Sequence, residues 1–275
     1  MGAIAFDEFA RPSGQDLDLE VGAFLLARDA FPELAIDAQI GRLDALATGL
    51  GDLAGASTED AASAIAAHVY ERHGFRGNES AYADPANSYL NVVLDRRTGI
   101  PITLAIVLLA VARRVGVRAQ GISFPGHFLV RFERARGGPL VVDPFFGGRA
   151  MSVDDLGRLL RRTAGPTGKL QVEHLKSAST RQILVRVLQN LKAAHLARGD
   201  VPRALVAAAR VVALLPRDGW AVRDRGLLQA QLGAPEGARA DLLRYLELAP
   251  ESSDAGPIRQ MLGRLGARTR GAALN

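Results

Sequence analysis

Apolar positions recur at helical spacing along the first part of the chain. From Leu19 to Ala30, Val21, Phe24 and Leu25 share one face with Phe31 beyond them, and Pro32 ends the run. A second helix is predicted from Ile36 to Leu50, with Ile40, Leu43 and Leu46 in register. Ser57 and Thr58 ahead of Glu59 and Asp60 signal a helix start, and Gly74 stops that helix after His73. Gly77 to Pro85 reads as a loop and Pro85 to Arg97 as a helix; residues 1–16 read as a loose tail. After a break at Thr98-Gly99-Ile100, Pro101 opens a segment to Val115 that is apolar almost all round. A helix with no polar face is buried, and this one is too short to cross a bilayer. It is expected at the centre of the first domain.

The pattern then shifts to short β-type runs bounded by Gly and Pro: Val117 to Phe124, Phe128 to Phe132 and Leu140 to Val142. They predict an antiparallel sheet on the buried helix, followed by a helix from Val153 to Thr163 and a Gly/Pro/Thr linker from Ala164 to Lys169. Beyond the linker the chain repeats itself. Gly199 matches Gly233, Ala204 matches Ala238, Ala208 matches Leu242 and Pro216 matches Pro250, all at an offset of 34 residues. A helix–turn–helix period of that length with a closing Pro is the tetratricopeptide signature. The repeats span about 183–216 and 217–250, with Pro257 to Leu265 as a capping helix. The expected domains are therefore 1–165 and 175–266.

Composition adds exclusions. Cysteine is absent, which removes disulfides, thiolate metal sites and cysteine nucleophiles. The net charge of +5 comes from interspersed residues, 34 basic against 29 acidic, so nucleic acid is not an expected partner. The densest basic spot, Arg158, Arg161 and Arg162, reads as a solvated helix face. Only three of the 34 basic residues are lysine, which with abundant Ala and Gly fits a GC-rich bacterial source. Neither a membrane span nor a signal pattern is visible, so a cytoplasmic location is expected. His68 and His73 lie five apart, the wrong spacing for a shared face of an α-helix, and no metal or cofactor site is expected. Gly165 to Lys169 lacks the first glycine of a phosphate loop.

Three segments carry candidate chemistry: Gly99-Ile100-Pro101-Ile102-Thr103, Phe124-Pro125-Gly126-His127-Phe128 and Val142-Asp143-Pro144-Phe145. Thr103 would sit in the first turn of the buried helix, beside unpaired N–H groups and the positive dipole end. His127 and Asp143, placed on neighbouring strands, would pair side by side, the carboxylate fixing the imidazole tautomer. The types and order suit a nucleophile, a base and an orienting acid. The plain alternatives are a helix-start hydroxyl, a structural histidine and a turn-forming aspartate.

These residues also resemble a known family. Asp84-Pro85-Ala86-Asn87-Ser88-Tyr89-Leu90-Asn91, Arg97-Thr98-Gly99-Ile100-Pro101-Ile102, Pro125-Gly126-His127-Phe128 and Asp143-Pro144-Phe145 are similar to the SirB-type transglutaminase-like proteins, which also carry C-terminal tetratricopeptide repeats. The resemblance implies an α+β, papain/transglutaminase-like domain of helices packed on a small antiparallel sheet, then an all-α repeat region. It places His127 and Asp143 at the family's His and Asp. Thr103 falls where active transglutaminases have Cys. An alcohol ionises far above a thiol, so a helix dipole cannot make it an alkoxide; it would have to give its proton to His127 during attack. Tyr89, Asn91, Phe124, Phe128 and Phe145 would line the cleft. The expected function is a non-catalytic interaction or regulatory protein that binds a protein or peptide through the repeats or the cleft. The alternative is a hydrolase or acyl transferase on amide or ester bonds, using Thr103, His127 and Asp143.

Overall fold

A computed structural model of the chain describes residues 5–11 and 17–272. They fall into two compact units, Gly14–Val187 and Leu188–Asn275, the latter joined by Met1–Ser13.

The first unit is built around helix α6, Pro101–Arg114, whose residues from Pro101 to Leu108 are all buried. Helices α2 (Leu19–Arg28), α3 (Ile36–Ala47), α4 (Thr58–Ala66) and α5 (Leu90–Arg96) pack around it. Strands β3 (Ala119–Ile122), β4 (Leu129–Phe132), β5 (Leu140–Asp143) and β6 (Arg149–Ala150) form an antiparallel sheet in sequence order. One face lies on α6, and the other places Ile122, Leu129 and Val141 against Leu156, Leu159 and Leu160 of α7 (Val153–Ala164). Burial on both faces explains why these strands lack polar alternation.

Four local readings change. The helix entered at Ser57 stays α-helical to Ala66 and then widens to a π turn over Ala67–Arg72. Residues five apart stack in a π turn, so the His68 and His73 rings meet at 4.6 Å between centroids. The α-helical spacing argument against a shared face therefore fails, although no group of three metal-ligating side chains forms among the described residues. The helix expected from Pro85 to Arg97 is a 3₁₀ turn, Pro85–Ser88, followed by α5, with Tyr89 extended between them. The break before α6 and the start of the loop at Gly77 pair as two short parallel strands, β1 (Arg76–Gly77) and β2 (Thr98–Gly99). Finally, the division falls within α8 (Thr180–Ala197) and not at the Gly/Pro stretch 164–169. Residues past the linker stay with the sheet because Ala178 N–H donates to Gly121 O at 2.8 Å and Leu170 and Leu175 pack on the α7 cluster.

The second unit holds the repeats. Helix α9 (Val201–Leu214), α10 (Gly219–Gln231), α11 (Pro235–Leu248) and α12 (Ala255–Ala272) follow α8. Gly199 and Gly233, 34 residues apart, both take positive φ, +71° and +74°, where one helix must end and the next begin. Ala204 and Ala238 are fully buried. A Cβ on Gly226 would approach Asp241 and Leu242 to 3.0–3.1 Å, so α10 and α11 touch nearly backbone to side chain. Arg225 clamps Asp241 across that contact with bonds of 2.6 and 2.7 Å. The expected capping helix is longer than predicted and seats Ile258 and Leu265 on Leu242 and Tyr245. Within the expected tail, Phe6–Phe9 forms helix α1: Phe6 is buried beneath the Arg210 guanidinium at 5.0 Å, and Asp7 pairs with Arg210 at 2.9 Å. One turn is too short to show periodicity in a sequence.

Candidate functional site

Thr103 is the third residue of α6 and is fully buried. Its hydroxyl accepts from Ile100 N–H at 3.2 Å, which satisfies one orphan donor of the helix start. The single hydroxyl proton points to carbonyl oxygen, Asn87 at 2.7 Å in preference to Ile100 at 3.1 Å. Gly99 makes room for this arrangement, since a Cβ there would lie 2.8 Å from Thr103 Oγ1. No hydrogen bond joins Thr103 to His127.

His127 lies in the turn before β4 and Asp143 ends β5. The turn is held in place by α7: Thr163 Oγ1 donates to Pro125 O at 2.6 Å, and Gly126 adopts φ +66° against the Thr163 side chain. Asp143 is fixed from its own side. Phe145 N–H donates to Asp143 Oδ1 at 2.9 Å, and Gly148 N–H donates to Asp143 O at 2.8 Å. The outcome is a buried pair in which His127 Nε2 lies 3.0 Å from each Asp143 carboxylate oxygen. An ionised carboxylate only accepts, so the Nε2 that faces it carries a hydrogen.

The aromatic residues separate into two groups. Phe145 stands edge-on to the His127 ring at 6.3 Å and to Tyr82 at 5.8 Å, and it packs over Gly77, where a Cβ would collide at 2.7 Å. Gly77 pairs with Gly99, so a contact path runs from Thr103 through two glycines and Phe145 to His127. Phe124, in contrast, is a core side chain of the sheet–α7 cluster, and Phe128 is buried over Gly121. Tyr89 packs edge-on to Phe31 at 5.6 Å, and Asn91 is buried with its Oδ1 unbonded. Of the expected cleft residues, Phe145 sets its ring edge-on to the imidazole, and Phe124 meets His127 through the backbone, its carbonyl accepting from His127 N–H at 3.0 Å.

Two further residues shape the site: Tyr70 carried no signal in the sequence, and Asn87 stood only within the Asp84–Asn91 motif, with no role assigned. Tyr70, in the π turn, is buried with its hydroxyl unpartnered; burial and then the nearby Asp143 charge hold its pKa above the ordinary value. The Asn87 side chain ties down the loop before the 3₁₀ turn, accepting from Asn78 at 2.9 Å and donating to Ala81 O at 2.7 Å. That loop delivers the carbonyl that holds Thr103.

Comparison with known proteins identifies the family. The transglutaminase-like superfamily pattern matches residues 37–189, and a tetratricopeptide repeat pattern matches residues 191–263. A UPF0162 protein of Xylella fastidiosa is 38% identical over 263 residues, 92% of each chain. A UPF0162 protein of Pseudomonas aeruginosa is 36% identical over 78% of this chain and 80% of its own. Protein SirB1 of Salmonella typhimurium is 27% identical over 75% of both chains. The chain belongs to the transglutaminase-like superfamily, as a SirB-type member with C-terminal tetratricopeptide repeats.

Proposed function

We propose that this chain is a non-catalytic interaction or regulatory protein, acting in the cytoplasm of a bacterium through a protein or peptide partner. The observation that carries the reading is the Thr103 hydroxyl: fully buried, its proton held by Asn87 O at 2.7 Å. A nucleophile must reach a substrate and lose its proton to a base. This hydroxyl instead joins two stretches of backbone. The tetratricopeptide region supports a protein partner, because such repeats stack into extended binding surfaces. No described helix is long and apolar enough to cross a membrane.

The second reading, a hydrolase or acyl transferase using Thr103, His127 and Asp143, is favoured by the His127–Asp143 pair, in which Nε2 faces both carboxylate oxygens and leaves Nδ1 as the potential base. One experiment separates the two. Full-length protein is treated with acyl-type covalent probes and with generic amine and glutamine substrates. No labelling and no transamidation are expected. Stoichiometric labelling of Thr103 that disappears in His127→Ala would establish the enzyme.

A further inference from the structure

The basic face of α7 is exposed, and part of it borders a cavity. Asp155, Arg158, Leu159 and Arg162 recur at positions i, i+3, i+4 and i+7, so they share one stripe of that helix. With β6 they line a cavity of about 570 Å³. Phe146, Met151 and Leu159 form its apolar wall, and Arg149 joins Arg158 and Arg162 as its cations. Asp143, whose carboxylate holds His127, is also among the lining residues. Phe146 is 47% exposed and stands edge-on to Phe145 at 5.2 Å.

The charges leave a defined remainder. Asp155 accepts from Arg149 at 3.3 Å and from Arg158 at 2.7 Å, and Asp143 faces His127. Arg162 makes no ion pair among the described residues. Three guanidinium groups thus meet two carboxylates, and one cation is uncompensated beside an apolar wall. A planar guanidinium recognises a carboxylate through paired N–H donors. A polyphosphate would bring many charges against one spare cation and two resident carboxylates, so a nucleic acid fits poorly.

We infer that this cavity is a docking site for an acidic peptide segment of a partner protein, one whose Asp or Glu carboxylate pairs with Arg162 while a neighbouring apolar side chain packs on Phe146. The site rests on the interaction reading proposed above and gives it a location outside the degenerate nucleophile position. If it fails, this face is removed, whereas the non-catalytic reading stands or falls on covalent labelling.

The test is fluorescence anisotropy on the full chain with a labelled octapeptide of alternating Glu and Leu. Saturable binding that weakens as salt rises is expected. Arg162→Glu and Arg162→Gln should each weaken binding about tenfold or more, the scale of one lost charge-assisted contact. Phe146→Ala should also weaken it. Arg161→Glu makes the same charge change one residue away, outside the cavity, and should leave affinity within about twofold. A Gln-for-Glu peptide should bind at least tenfold more weakly. Equal loss in the Arg161 and Arg162 variants would show general charge attraction and overturn the site. So would absence of saturable binding, equal affinity for the Gln peptide, or tighter binding of a single-stranded DNA oligonucleotide of the same charge.

Discussion

Replacing Thr103 by Val separates a structural hydroxyl from an idle nucleophile. The two side chains have nearly the same shape, so packing of the methyl groups changes little. What is lost is one donor and one acceptor inside a fully buried site. Ile100 N–H, bonded to Thr103 at 3.2 Å, and Asn87 O, bonded at 2.7 Å, have no substitute partner among the described hydrogen bonds. Each orphaned buried group costs about 1–3 kcal/mol. Exchange of a hydroxyl for a methyl returns about 0.5–1 kcal/mol of apolar burial. The net destabilisation is about 1–5 kcal/mol, or roughly 2–20 °C in Tm at about 2–4 °C per kcal/mol for a domain of this size. Thr103→Ser keeps both bonds and loses only a methyl, a cost of about 1 kcal/mol. Calorimetry or far-UV circular dichroism is the suitable readout, because Trp220 lies in the repeat unit and its fluorescence reports on the other part of the chain. Amide exchange at Ile100 should accelerate in the Val variant and remain slow in the Ser variant. A Val variant as stable as wild type, with Ile100 still protected, would refute the structural role of the hydroxyl.

Other outcomes follow from single observations. Tyr70→Phe removes a buried hydroxyl that has no partner, so the variant should be as stable as wild type or more stable by about 1 kcal/mol, read from its denaturant midpoint. Ala238→Leu inserts bulk where α10 and α11 meet and should cost about 1–3 kcal/mol by thermal melting, while Arg239→Glu on the same helix changes little. Burial is the main cause holding the His73 and His195 pKa values below the ordinary 6.5. The unfolded chain therefore binds protons before the folded one does. Stability should be full above about pH 7 and fall as pH drops through 6.5 toward the lower folded values. The Tm difference between pH 7.5 and pH 5.5 should shrink in a His73→Gln/His195→Gln double variant, and an unchanged difference would contradict the assignment.

Those features legible in the sequence are ones that a local rule determines. An all-apolar segment after a Pro can only be buried, which made α6 readable. A period of 34 with small residues at Ala204 and Ala238 places close helix contacts before any coordinates exist. His127 and Asp143 follow from their motifs and the strand order between them. What escaped depends on three-dimensional competition. An extra residue per turn after Ala66 cannot be read from composition, yet it decides where Tyr70 points and brings His68 to His73. Phe124 and Phe128 flank the same His127 motif, but alternation around the turn sends both inward and leaves Phe145, from the next strand end, beside the imidazole. Phe6 needs Arg210 from a distant helix to cover it.

On the non-catalytic reading proposed above, the same contacts explain how the site persists as structure. The His127–Asp143 pair fastens the turn before β4 to the end of β5, and Phe145 N–H and Gly148 N–H anchor the same aspartate to the chain beyond it. The threonine at the helix start ties the break before α6 to the 3₁₀ turn at Asn87. A cysteine there would be a weaker donor and acceptor for both bonds. A reactive thiolate needs access and a free charge, whereas a brace needs burial and full hydrogen bonding. Thr103 meets the second set of demands. Those demands conflict directly with the first, because the hydroxyl already donates to the Asn87 carbonyl the hydrogen that a base would have to remove.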